Sequence, residues 1–266
     1  MVAFELAVQD SHGLHVAARL GVDRIELCSA LPLGGLTPSL ALIEAAVETP
    51  GIPPVHVLIR PRPGGFDYAP AEVDMIVRDV RHALAAGAAG VVIGGVRAGE
   101  IDAGLVARVM DVAGAAPAVN GVGRPGCGAE VTFHRAFDVL GDPSEALDRL
   151  AGLGVKRILT SGGAAAAGDA VPELARLVKA AGGRIEIMAG GGVRPEIVGD
   201  LVTAGVAAVH ASGKGIVTGE PGVKLGSADR SERETTDERE VGRLLAALRS
   251  TEEHSPEAET STSGER

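Results

Sequence analysis

The feature that most limits the fold of this chain is an alternation between two kinds of pattern, repeated eight times. Short apolar runs occupy residues 4–8, 24–28, 55–60, 90–94, 131–135, 157–160, 184–189 and 207–211. Each is followed by a stretch whose apolar residues fall at helical spacing, the last over residues 237–249. Parallel neighbouring strands need a long crossover, usually a helix. Strict alternation of strand and helix patterns therefore predicts a parallel sheet. Eight such units suit an α/β fold of the closed (β/α)8 type, a TIM barrel, here as one domain over residues 1–249. An open doubly wound sheet is the alternative, disfavoured because no GxGxxG motif follows the first run.

Local signals agree with this order. Thr37 before Pro38 and Asp142 before Pro143 each read as an N-cap followed by proline at the first helical position. Gly21, Gly87 and Gly205 each close a helical stretch, where a left-handed residue is wanted. Residues 115–129 read as a Gly- and Pro-rich loop, and residues 213–236 as a loop leading into the last helix. Residues 250–266 have no apolar period and read as a disordered acidic tail.

Composition narrows the function. Aromatic residues make up only 2% of the chain against 45% hydrophobic, so aliphatic side chains must fill the core. A net charge of −10 argues against nucleic acid, whose phosphates call for clustered Lys and Arg. Residues 1–13 lack the basic and apolar regions of a signal peptide. No run of about eighteen apolar residues exists, so no membrane partner is expected. These readings place the protein in the cytoplasm, with Cys28 and Cys127 as free thiols.

The strand runs carry an unusual inner face. Side chains alternate across a strand, and in a barrel one set points toward the axis. The apolar set faces the helices, which turns Glu5, Arg24, Glu26, Cys28, His56, Arg60, His134, Glu186, Met188 and His210 inward. Most barrels fill this space with branched apolar residues. Inward charges must pair, so an ion-pair network is one reading, for Glu5, Arg24 and Glu186 in particular. Residues nearer the C-terminal strand ends, Cys28, Arg60, His134 and His210, are candidates for a site, because barrel sites sit there. Glycine clusters at 190–192 and 213–215, with Ser161, Ser212 and Lys214 beside them, suit an anion approached by backbone N–H groups.

Several motifs stand in a fixed order: GVDRIELCSALPLGGLTPS at 21–39, VLIRPRPGGFDY at 57–68, GVVIGGV at 90–96, VTFHRAFD at 131–138, RILTSGG at 157–163, IMAGGGV at 187–193 and VHASG at 209–213. Together they resemble the CutC family. The resemblance implies a (β/α)8 barrel, a cytoplasmic homo-oligomer and a role in copper homeostasis. Carried over by position, it points to Glu26, Cys28, Arg60, Arg62, His134, Arg135, Asp138, His210 and Ser212.

Three functions stay open on these residues. A copper protein would use soft donors, with Cys28, Met188 and His210 as the expected metal set and His134 a further imidazole. An enzyme on a small phosphorylated or carboxylated metabolite would use His134 as general acid or base, oriented by Glu26, with Arg60 beside them. Its ligand would be held by Arg62, Arg135, Asp138, Ser161, Gly191, Gly192, Ser212 and Gly213. A scaffold would need none of this, with Cys28 and Met188 as packing residues.

Overall fold

The computed structural model describes residues 1–116, 128–219 and 232–253. Eight parallel strands form its centre: β1 (Ala3–Val8), β2 (Arg24–Leu27), β3 (Val55–Leu58), β4 (Gly90–Ile93), β5 (Glu130–Phe133), β6 (Arg157–Thr160), β7 (Glu186–Gly190) and β8 (Ala208–Ala211). Each pairs with its neighbours in sequence, and β1 closes the barrel on β8 with Glu5 beside His210. The helices that follow the strands are α1 (Ser11–Leu20), α2 (Leu40–Glu48), α3 (Pro70–Ala85), α4 (Ala103–Gly114), α5 (Pro143–Gly152), α6 (Val171–Ala181), α7 (Pro195–Thr203) and α8 (Glu238–Glu253). This is the (β/α)8 barrel that the alternation predicts.

The alternation also sorts the strand faces. Phe4, Leu6, Ile25, Leu27, Val57, Val91, Ile93, Phe133, Ile187 and Val209 join the helices in one continuous apolar layer. Among the described residues, two small apolar patches lie apart from that layer, Cys28 with Leu58 and Val92, and Leu159 with Met188 and Ala208. Between them lie Glu5, Arg24, Glu26, His56, Thr132, His134 and Arg157, all buried. A slip of one residue in any strand would exchange these faces and drive charges into the helix layer, so the register is strongly specified.

Helix ends follow side-chain chemistry. Asp142 caps α5 by accepting from the N–H groups of Ser144 and Glu145, ahead of Pro143 in the first position. Gly21 closes α1 at φ 65°, the left-handed conformation expected of it. At α2 the expectation fails: Ser39 is the N-cap and the helix begins at Leu40. Thr37 is drawn away to accept the Arg60 N–H at 2.8 Å, which ties the loop after β2 to the end of β3.

Two other expectations need correction. The segment 213–236 is not all loop, because Lys214–Thr218 pairs antiparallel with Glu232–Thr236. Its charged and hydroxylated residues give no apolar alternation. It docks instead through buried Thr235 and Thr236, with the Thr235 hydroxyl donating to Asp10 at 3.0 Å. The last helix runs to Glu253 rather than stopping at 249, so residues 250–253 are helical and the start of the proposed tail shifts. Residues 117–127 and 254–266, which hold Cys127 and most of the two expected flexible segments, lie outside the described residues.

Candidate active site

The polar interior divides into levels along the barrel axis. At the N-terminal ends of the strands, Arg157 reaches Glu130 at 3.1 Å and Glu186 at 2.7 Å, and Lys156 adds a second contact to Glu186 at 2.6 Å. His56 lies 3.7 Å from Glu130 with neither ring nitrogen hydrogen-bonded to protein. Burial pushes its pKa down to about 3, so the ring is neutral. These groups close the end of the barrel away from the mouth.

The next level is a chain of charges shared by three adjacent strands. Glu5 on β1 accepts from Arg24 Nε at 2.5 Å and contacts His210 Nδ1 at 2.8 Å. The other imidazole nitrogen of His210 lies 3.6 Å from Glu26. Burial alone would raise the Glu5 pKa, but the His210 hydrogen bond and the Arg24 charge hold it well below the carboxylate range. His210 loses charge stability through burial, and Glu26 and Glu5 outweigh that loss and raise its pKa. Glu26 is different: burial, with the Glu5 charge adding to it, pushes it up to about 7. The result is an imidazole held toward its charged form between two carboxyl groups, one held toward ionisation and one whose pKa burial lifts to about 7.

Glu26 and His210 face a cavity of about 1000 Å³ at the C-terminal ends of the strands. Its wall includes Leu31, Arg60, Phe66, His134, Arg135, Asp138, Gly191, Gly192, Arg194, Ser212, Gly213 and Lys214. His134 accepts the Ala136 N–H on Nδ1 at 3.0 Å, which puts the ring proton on Nε2. That Nε2 is buried and has no hydrogen-bond partner among the described residues. Burial first, then the Arg60 charge, push the His134 pKa down to about 3. His134 is thus a neutral hydrogen-bond donor at neutral pH. A depressed pKa disfavours the general-base role, and Glu26 pairs with His210 rather than orienting His134.

Position of the His134 ring depends on Gly94. A Cβ on Gly94 would lie 2.2 Å from Cε1 and 2.3 Å from Nδ1 of that ring. Gly94→Ala should therefore displace His134 and cost about 1–3 kcal/mol of stability. Urea denaturation gives the cost, and a variant as stable as the parent would show that the ring has room to spare.

The arginines do different work. Arg60 donates to the carbonyls of Leu33, Gly35 and Gly64 at 3.0, 2.8 and 3.0 Å, and its guanidinium stacks on Phe66 at 5.5 Å. It ties down the loops after β2 and β3 while its charge faces the cavity. Arg135 donates to Asp138 at 2.8 Å and to Ser161 Oγ at 2.9 Å. Asp138 in turn accepts from Thr160, Ser161 and Gly163, which locks the group. Arg62 is a correction: it turns away to Glu72 and the carbonyls of Gly65 and Asp67, takes no part in the cavity wall and steadies the start of α3.

The expected metal set is not brought together. Cys28 is buried against Leu58 and Val92, and burial, then the Glu26 charge, push its thiol well up, which disfavours the thiolate. Met188 lies in the other apolar patch, its sulfur accepting from Arg24 at 3.5 Å. Neither lines the cavity, and both His210 nitrogens face carboxyl groups. Among the described residues no three His, Cys, Asp or Glu side chains form a metal-binding group. Sequence reasoning missed Arg194, an exposed cation in the cavity wall, because Arg-Pro read only as a helix start. It also missed Glu5 as the partner that charges His210.

A closed parallel barrel with a cavity at the C-terminal mouth, lined by Arg60, His134 and Arg194 among others, defines the class: a (β/α)8 barrel protein, whose mouth is the usual place for ligands. Within that class the chain belongs to the CutC family, whose model matches residues 2–215. The family protein CutC of Sinorhizobium medicae (strain WSM419) is 43% identical over 256 residues, 93% of this chain and 96% of that protein. That of Aliivibrio fischeri (strain MJ11) is 41% identical over 235 residues, 86% and 90% of the two chains. The solved CutC structure from Streptococcus agalactiae shares 30% identity at a TM-score of 0.69, covering 80% of this chain and 99% of that one. A 3-hexulose-6-phosphate synthase from Salmonella typhimurium superposes at a TM-score of 0.59 over 94% and 100%, and at 15% identity it shows the common fold alone. Among the described residues no helix is long and apolar enough to cross a membrane.

Proposed function

We propose that the protein is an enzyme that moves a proton on a small anionic metabolite bound at the barrel mouth. The observation that carries this reading is the placement of Glu26. Its carboxyl is buried on the cavity floor, 3.6 Å from His210, which Glu5 holds from the other side. A carboxyl with a pKa of about 7 exchanges protons readily at neutral pH, which is what general acid–base catalysis asks of it. Glu26 takes a proton from a carbon beside a carbonyl group, and His210, whose pKa is raised, favours the ionised Glu26 carboxylate. His134, a neutral Nε2–H donor, meets the oxygen on which negative charge builds. Neutrality suits that role, since the donor keeps its proton.

Copper homeostasis is the role in the name of the Streptococcus agalactiae relative. Copper bound in the barrel pocket is the other reading that family membership suggests. The described residues do not fit it, for Cys28 and Met188 sit in separate apolar patches behind the cavity wall. Family membership also suggests a cytoplasmic protein that assembles with copies of itself, which light scattering of the purified chain would test.

The test of the enzyme reading is deuterium incorporation in D2O, followed by proton NMR, across a panel of phosphorylated ketoses and 2-oxo acids. Exchange at one carbon of one class is expected, and Glu26→Gln should slow it by about 10²–10⁴-fold while leaving the fold intact. Equal exchange by the variant would overturn the role of Glu26, and no exchange with any compound would overturn the reading.

A further inference from the structure

Among the described residues, the cavity wall carries more positive charge than its carboxylates neutralise. Lys214 is paired with Glu234 at 2.6 Å, Arg135 with Asp138, and Glu240 with Arg243. Glu5 offsets Arg24, and His210 shares its charge with Glu26. Arg60 and Arg194 are left, each in the wall and neither in contact with a carboxylate among the described residues. Arg60 is only 6% exposed, and an uncompensated buried cation is costly. A ligand with two negative charges would balance the pair.

One place in the wall is built to receive it. Arg135 is held by Asp138, Ser161 and the Ala164 carbonyl through Nε and one terminal nitrogen, which leaves the other terminal nitrogen without an acceptor among the described residues. That free edge lies over Gly191, 3.0 Å from where a Cβ would stand, and Gly191 takes φ 101°. Only glycine lets the guanidinium approach the backbone there. Gly191 and Gly192 lead directly to Arg194 and the first turn of α7. The neighbouring His134 Nε2, in a side chain 6% exposed, is a further donor in the same wall that the protein leaves unused.

We propose that the substrate is a phosphate monoester, and that its phosphate is held by the free edge of Arg135, by Arg194 and by the Gly191–Gly192 turn. The subsite lies between the loops after β5 and β7. The loop after β8, where the glycine pattern also pointed, is a poorer place, because Glu234 takes Lys214 and Val241 covers Gly213. This inference rests on the reading of the cavity as a reaction site, but its test does not need turnover.

The test is calorimetric titration of the whole protein with inorganic phosphate, with acetate as a monoanion control. Phosphate should bind and acetate should not. Arg194→Ala, an exposed substitution that leaves the barrel contacts alone, should weaken phosphate by about tenfold or more. Arg135→Lys, which keeps the charge and loses the fork, should weaken it as well. Phosphate binding is read without turnover, so failure of the subsite and failure of the acid–base reading are separable. Absence of phosphate binding, or an Arg194→Ala affinity equal to the parent's, would overturn the subsite.

Discussion

Acidification should weaken the barrel gradually below pH 6.5 and then steeply below pH 4.5. His56 and His134 are neutral in the fold down to about pH 3, but in the unfolded chain they take protons from 6.5 downward. A depressed histidine pKa means that the unfolded state binds more protons, so stability falls with pH across that window. Glu26 opposes this between pH 7 and 4.5, because there the fold holds a proton that the unfolded chain does not. One net proton remains, about 1.4 kcal/mol per pH unit. Below 4.5 the Glu26 term vanishes and Glu5 joins the histidines, since its folded pKa is depressed and its stabilisation is lost as the unfolded carboxylate protonates. These three groups alone then give a slope of about three protons, about 4 kcal/mol per pH unit. Total stabilities are about 5–15 kcal/mol, so the fold should not survive far below pH 4. Urea denaturation between pH 7 and 3.5 measures the slopes. His134→Asn should remove one proton from them and flatten the profile between pH 6.5 and 4.5, and a parent protein whose stability rises as the pH falls through that window would mean that both histidines titrate normally.

The second large effect is expected at Glu5. Glu5→Gln keeps the shape and removes the charge between Arg24 and His210. Arg24 is then a buried cation with a neutral amide oxygen at position 5 and the Met188 sulfur as acceptors, and with no carboxylate in contact. Breaking one side of a buried ion pair costs about 3–5 kcal/mol. His210 should also lose its raised pKa, because the Glu5 hydrogen bond and charge help to hold it up. Denaturation curves and a histidine NMR titration read the two consequences separately. Replacing the pair by apolar residues, Glu5→Leu with Arg24→Met, should recover much of the stability. A Glu5→Gln protein within about 1 kcal/mol of the parent would show that water, not Glu5, balances Arg24.

Much of this architecture is legible in the sequence. Alternating strand and helix patterns specify the parallel barrel, because parallel strands need crossovers. The period of two along each strand sorts Phe4 and Leu6 outward and Glu5 inward, because neighbouring side chains must face opposite sides. It likewise marks His134, Glu26 and His210 as members of one polar interior, and the glycine runs mark the mouth. What alternation cannot state is which inward residues meet. Glu5, Glu26 and His210 come from β1, β2 and β8, and only barrel closure, with Glu5 in register with His210, makes them a chain. Glu26 therefore partners His210 and not His134. Cys28 and Met188 share the inward face, yet they fall into apolar patches on different sides of that chain. Arg62, two residues from Arg60, escapes the interior because the strand has ended and Glu72 captures it. The sequence by itself determined the barrel and the content of its two faces, since periodicity is a local property. The tertiary structure decided the partners, and with them the protonation states, since both depend on residues brought close only when the sheet closes.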